Sequence, residues 1–264
     1  MSSDSGHAVE ARSVGKKYEL GELASLPRTA HNLVRVLARR PPSLRMFNAL
    51  HDVSFTVDAG EAFAILGSNG SGKSTLLSII ADITRPSSGE VRVRGRVLPL
   101  FSIAAGFHPE LTGCENVIMF GTVLGIPRKD VLSALKGIAE FAEIDSEHMA
   151  TPAKRFSEGM MSRLAFATAL RFPADVYIFD EVLVTADDHF KSKCAAEIGQ
   201  LRDNGAAVFF ISHELSLVRG VCSRGMWLDA GRVRAIGPID EVAREYEARE
   251  HTEAREHTAS PAET

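Results

Sequence analysis

Apolar positions along the chain fall into two kinds of run. Ala62 to Leu66, Val176 to Phe179 and Val208 to Ile211 are short apolar blocks rich in β-branched and aromatic residues, the pattern of strands covered on both faces. Ala8 to Val14 reads as an opening strand followed by a polar turn, and Leu50 to Phe63 as two short strands around Asp58-Ala59-Gly60. Helical spacing separates the compact blocks, so the chain is expected to be α/β with a mostly parallel sheet. From Phe107 to Arg171 the pattern is helical and offers no central strand, which predicts a helical subdomain at about 107–171 inserted into the core.

A stretch from Leu23 to His51 holds five arginines and no acid, the basis of an expected basic insertion at about 23–48. Within it Ala30, Leu33, Val34 and Leu37 recur at helical spacing, and Pro41-Pro42 ends that helix. An amphipathic helix against a membrane or a membrane partner and a solvated basic helix face both fit this pattern. From Glu247 the sequence Glu-Ala-Arg-Glu-His-Thr occurs twice, so 8–248 is read as the main unit and 249–264 as a charged tail that extends a terminal helix and then frays.

The net charge of -4 gives no global attraction to nucleic acid. Cys114, Cys194 and Cys222 are scattered and odd in number, which fits reduced thiols and a cytoplasmic location. No secretory signal is read in MSSDSGHAVE, and the longest apolar stretch, Val97 to Phe107, is too short to span a bilayer. Work at a membrane would need another polypeptide to supply the path.

The chemistry concentrates at two strand ends. Gly67-Ser68-Asn69-Gly70-Ser71-Gly72-Lys73-Ser74, followed by Thr75, fits the Walker A pattern between an apolar strand and a helix. Its glycines let backbone N-H groups turn toward phosphate oxygens, Lys73 reaches the terminal phosphates, and the Ser74 hydroxyl is a candidate Mg2+ ligand. Asp180 and Glu181 end the strand Val176 to Phe179, where open α/β sheets bind ligands. On a Walker B reading Asp180 holds Mg2+ and Glu181 polarises the water that attacks ATP.

Ser157-Glu158-Gly159-Met160 precedes a helical segment, so Ser157 is a natural N-cap, with Phe156 and Met161 as a hydrophobic staple. Placed shortly before the Walker B strand, these residues also resemble the signature loop of ABC ATPases. That resemblance implies an α/β P-loop NTPase core with a mostly parallel sheet, an ABC-type antiparallel β subdomain and an inserted helical subdomain. Ile211-Ser212-His213 matches the family's switch-histidine segment, which assigns His213 to the terminal phosphate. Tyr18 resembles the adenine-stacking aromatic, although a half-buried core tyrosine fits the same position.

More specific segments are similar to ATP-binding subunits that export O-antigen, capsule, teichoic acid or related glycans. They are Gly106-Phe107-His108-Pro109-Glu110-Leu111-Thr112-Gly113 with Glu115-Asn116, then Asp180-Glu181-Val182-Leu183 with Asp187 and Phe190, and Trp227-Leu228-Asp229-Ala230-Gly231. Ser102 departs from the Gln or acid found before the first segment, and Ala186 from the Gly before the Asp of the subunit-crossing loop, so only Asp187 is carried over from that loop. The carbohydrate-binding extension of some O-antigen exporters is not read in the sequence. The resemblance implies a homodimer in which Ser157 and Gly159 of one copy complete the site of Lys73, Asp180, Glu181 and His213 in the other. It further implies two copies of an integral-membrane permease, a lipid-linked glycan as cargo, and a place on the cytoplasmic face of the inner membrane. A soluble ABC ATPase acting on nucleic acid or ribosomes and a nucleotide-gated scaffold are the competing readings.

Overall fold

A computed structural model of the chain describes residues 6–20, 45–100, 106–180, 187–211 and 215–259. In chain order the elements are β1 (His7–Leu20), β2 (Arg45–Asp58), β3 (Ala62–Leu66), α1 (Lys73–Ile80), β4 (Ser88–Val93) and β5 (Val97–Pro99). There follow α2 (Gly113–Val123), α3 (Arg128–Ala142), the single turn α4 (Ser146–Met149), α5 (Glu158–Arg171), β6 (Val176–Asp180) and α6 (Asp188–Asp203). The last are β7 (Ala207–Ile211), α7 (Leu215–Val221), β8 (Arg224–Asp229), β9 (Arg232–Pro238) and α8 (Ile239–Ala259).

These strands form two sheets. One is antiparallel, in the order β2-β1-β4; the other runs β5-β6-β7-β3-β8-β9, parallel except where β9 turns back along β8. Along the central strands, side chains alternate between two cores, as a period of two requires. Phe63 and Ile65 of β3, Ile178 of β6 and Phe209 of β7 face the antiparallel sheet and α1, together with Val53, Phe55, Leu76 and Leu77. Ala64, Tyr177, Phe179 and Phe210 face the other way, among Val117, Leu164, Phe166 and Phe190 of the helices. Phe55 stacks on Phe63 with ring centroids 5.8 Å apart, and Phe209 meets both edge-on, joining the sheets through an aromatic cluster.

Several expectations are corrected. The polar turn after Val14 is not formed: β1 continues to Leu20 through irregularities in its pairing with β2, where Ser13 takes a positive φ of 50°. Such bulges break the alternation that marks a strand in sequence, so Lys16 and Lys17 read as a turn. β2 reaches back to Arg45, which places residues 45–48 of the expected basic insertion in a strand opposite Leu20, Glu19, Tyr18 and Lys17. Val97–Pro99, read only as part of an apolar stretch, is an edge strand beside β6, the position in a sheet that tolerates a proline. The helix expected around Ala30 to Leu37 lies outside the described residues. At the far end, α8 runs to Ala259 and carries both Glu-Ala-Arg-Glu-His-Thr repeats. Among the described residues no helix is long and apolar enough to cross a membrane.

Candidate nucleotide-binding site

β3 is buried at all five positions and delivers the chain into the glycine loop at a fixed point on the sheet edge. Gly67 takes φ 149°, and a Cβ there would come within 2.7 Å of Ser71 Oγ and would strike the Leu228 carbonyl. Gly72 has φ 108°, and a Cβ would meet the Ala49 carbonyl at 2.7 Å and Leu50 Cδ2 at 2.9 Å. Both positions therefore need glycine, because the loop lies flush against β2 and β8. Gly72 is also the N-cap of α1, supplies no side-chain cap, and is followed by a first turn with no acid. The helix thus presents its N-terminal amides and positive dipole end to an anion rather than to a capping side chain.

The Lys73 ammonium curls over this loop and donates to the carbonyls of Gly67 at 2.6 Å and Ser68 at 3.0 Å. A cavity of about 260 Å³ opens beside it, lined by Phe47, Ala49, Asn69, Gly70, Gly72, Lys73, Ser74 and Thr75. Of the lining residues Asn69, Gly70 and Ser74 are exposed, as is the neighbouring Ser68, whereas Gly67 and Ser71 are buried. Ser71 Oγ is buried with no hydrogen-bond partner among the described residues. The cradle that a Cβ would fill, the lysine above it and the hydroxyl of Ser74 suit a polyphosphate with Mg2+, a cation that takes oxygen ligands and shares them with phosphates.

The turn between β8 and β9 supports the loop from behind. Its central residues Ala230 and Gly231 have φ 44° and 75°, the conformation of a two-residue hairpin turn. The Gly231 amide donates to the Ser71 carbonyl at 2.8 Å, and the His51 amide donates to the Gly231 carbonyl at 2.8 Å. The Trp227-Leu228-Asp229-Ala230-Gly231 segment therefore ties the phosphate loop to β2.

Tyr18 and Phe47 are register partners on β1 and β2, and both are exposed. Phe47 lines the cavity; Tyr18, its neighbour across the strands, is not among the lining residues, and its ring carries Lys16 Nζ 5.0 Å from the centroid. Sequence reasoning missed Phe47: Met46, Phe47 and Asn48 are all exposed, and no alternation marks which of them faces the glycine loop.

β7 lies between β3 and β6, and Asp180 pairs with Ile211 at the same edge of the sheet from which the glycine loop emerges. Glu181, His213 and Ser102 lie outside the described residues. Ser157 is the N-cap of α5, its Oγ accepting from the Met160 amide at 3.1 Å, and Gly159 lies in the first turn. Asp187 caps α6 by accepting from the Phe190 amide at 2.9 Å, which with the nearby Arg163 holds its carboxyl below the usual range. The cavity of the glycine loop is built from residues 47–75, apart from Ser157, Gly159 and Asp187.

The Gly106-to-Asn116 segment also has a local physical logic. Thr112 and Glu115 form a reciprocal capping box at the start of α2. Asn116 is fully buried: its Oδ1 accepts from the His108 amide at 2.6 Å, and its Nδ2 donates to the carbonyls of His108, Leu111 and Thr112 at 3.0–3.1 Å. One side chain thus satisfies the backbone of the preceding loop.

A glycine loop at a helix N-terminus, set between a buried parallel strand and an aromatic rim, defines a P-loop nucleotide-binding protein. The chain belongs to the ABC transporter family, whose model matches residues 50–184. It is similar to the O-antigen export system ATP-binding protein RfbB of Klebsiella pneumoniae, 38% identical over 203 residues that cover 77% of this chain and 82% of that protein. The teichoic acids export ATP-binding protein TagH of Bacillus anthracis is 38% identical over 199 residues, 75% of this chain but 36% of its own length. Among solved structures, a dimeric ATP-binding cassette in a post-hydrolysis state bound to ADP and Pi matches with a TM-score of 0.68 at 23% identity, covering 88% of this chain and 98% of that one. The expected fold class, an α/β core with parallel and antiparallel sheets and intervening helices, is therefore the observed one.

Proposed function

We propose that this chain binds and hydrolyses ATP as the motor subunit of an exporter that moves a lipid-linked polysaccharide across the cytoplasmic membrane. The observation that carries the reading is the uncapped α1 N-terminus under Lys73, in a chain whose relatives are named for O-antigen and teichoic acid export. In this reading residues 8–248 are the nucleotide-binding unit, held at the cytoplasmic face by an integral-membrane permease present in two copies. Nucleic acid is not a partner.

The loop amides and the α1 dipole bind the phosphates, and Lys73 exchanges a loop carbonyl for an oxygen of the terminal phosphate. Ser74 and Asp180 hold Mg2+, which when bound neutralises phosphate charge. Glu181 orients the attacking water and accepts its proton, and His213 contacts the terminal phosphate. Phe47 and Tyr18 form an aromatic wall for the adenine. Because Ser157, Gly159 and Asp187 stand apart from the cavity, they serve the nucleotide of a second copy, so ATP closes a homodimer and hydrolysis reopens it.

The test is purification of tagged Glu181→Gln chain with Mg-ATP from gently solubilised membranes of its own host. The expected result is a dimer with a polytopic membrane protein at equal stoichiometry, and ATP turnover in the parent chain that Lys73→Ala abolishes. Recovery with soluble proteins or nucleic acid alone would overturn the exporter reading.

A further inference from the structure

Away from the phosphate loop, Arg163 of α5 joins three elements with one guanidinium. Its Nη1 donates to Glu143 Oε2 at 3.0 Å and its Nη2 to Asp187 Oδ2, while the guanidinium carbon lies 5.2 Å from the centroid of the Phe190 ring. Glu143 is the C-cap residue of α3, held in the left-handed conformation at φ 58°. Asp187 is the N-cap of α6, and its other oxygen, Oδ1, accepts from the Phe190 amide at 2.9 Å. Both oxygens of Asp187 are therefore engaged within its own subunit.

The surroundings reinforce the fork. Lys193 Nζ donates to the Phe141 carbonyl at 2.9 Å and approaches Glu143 Oε1 at 3.4 Å, and the rings of Phe141 and Phe190 meet edge-on at 5.7 Å. The Arg163 side chain is half-buried, 24% exposed, between the Glu143 carboxylate, 33% exposed, and the more open Asp187 carboxylate, 52% exposed, so the fork is held by geometry on several elements rather than by removal of the charges from solvent. A planar group with several fixed donors can satisfy two carboxylates on different elements while stacked on a ring; a lysine ammonium in its place is a single point of charge.

We propose that Arg163 is a positioning residue of the ATPase cycle: it locks Asp187 to the α5 helix that begins at Ser157, so that both are presented to a second subunit as one rigid unit. The proposal rests on the ATPase reading above and goes beyond it, because Arg163 is not among the residues that line the glycine-loop cavity. A fixed relation between Ser157 and Asp187 governs closure of the dimer, leaving ATP binding at the glycine loop of the isolated subunit to the residues around Lys73.

The experiment compares Arg163→Ala and Arg163→Lys with the parent chain in three readouts: thermal stability, affinity for a fluorescent ATP analogue on the monomer, and kcat for ATP. ATP-driven dimerisation is measured with the same substitutions in a Glu181→Gln background. Arg163→Ala is expected to lose stability and turnover together. Arg163→Lys is expected to recover stability and monomer affinity but to keep kcat down about tenfold, with dimerisation weakened in parallel. If Arg163→Lys restores kcat and dimerisation to within about twofold of the parent, Arg163 is a structural ion-pair partner and the proposal is overturned. Absence of turnover in the parent chain would instead overturn the ATPase reading and this proposal with it.

Discussion

The backbone amide of Gly231 donates a 2.8 Å hydrogen bond to the carbonyl of Ser71, so the hairpin turn between β8 and β9 holds the phosphate loop from behind. Gly231 has φ 75°, and a Cβ there would lie 2.5 Å from the Ala49 carbonyl. Gly231→Ala combines an unfavourable backbone conformation with a backbone clash and is expected to cost about 1–3 kcal/mol of stability in urea denaturation. ATP affinity should fall with it, because the turn, the loop and β2 move together. Titration calorimetry on the folded variant checks the second effect, and unchanged affinity would mean the turn supports the sheet alone.

Phe47 and Tyr18 pair across two strands beside the cavity, and stacking on aromatic rings draws on the π-face that every base has. Phe47→Ala is expected to weaken ATP binding by about 1 kcal/mol, roughly fivefold, with kcat at saturation little changed. GTP should suffer equally, since a stacking platform reads no hydrogen-bonding edge. A loss confined to Tyr18→Ala would place the platform on β1 alone.

Asn116 turns its side-chain amide onto one buried loop: Oδ1 accepts one bond, and the two N-H groups of Nδ2 are shared among three carbonyls. Asn116→Leu would leave the His108 amide without its acceptor, while the three carbonyls keep the amides of Leu111, Ala153 and residue 116, and is expected to destabilise the chain by about 2 kcal/mol, read from the denaturation midpoint. Glu115→Ala, which removes half of an exposed capping box, should cost about 1 kcal/mol. The ranking of the two variants tests whether the buried amide or the helix cap holds this segment.

The three thiols differ in accessibility. Burial pushes the Cys222 thiol up to about 12 and raises Cys194 further; it raises Cys114 too, together with the charge of Glu115, but this thiol is only partly buried and so is the one a reagent can reach. The thiolate is the reactive form, so at pH 8 a maleimide is expected to label Cys114 in the native protein and the other two only on unfolding. Native labelling that survives Cys114→Ser would show that α6, which holds Cys194, or the junction of α7 and β8, which holds Cys222, opens in solution.

The phosphate loop and the central strands were legible in the sequence because local chemistry dictates them. Gly67 and Gly72 occupy conformations that side chains disfavour, Lys73 follows at fixed spacing, and Ala62–Leu66, Val176–Asp180 and Ala207–Ile211 are apolar because helices or a second sheet cover both faces. Ser157 was legible as a cap for the same reason: an N-cap is a contact over three residues. The run of β1 past Val14 was hidden, since bulges interrupt the alternation that a strand otherwise writes into sequence. Phe47 beside the glycine loop, the Gly231–Ser71 bond and the Arg163 fork were decided only by tertiary structure. Each joins residues far apart in the chain, and the spacing of side chains along one segment says nothing about which other segment will be folded against it.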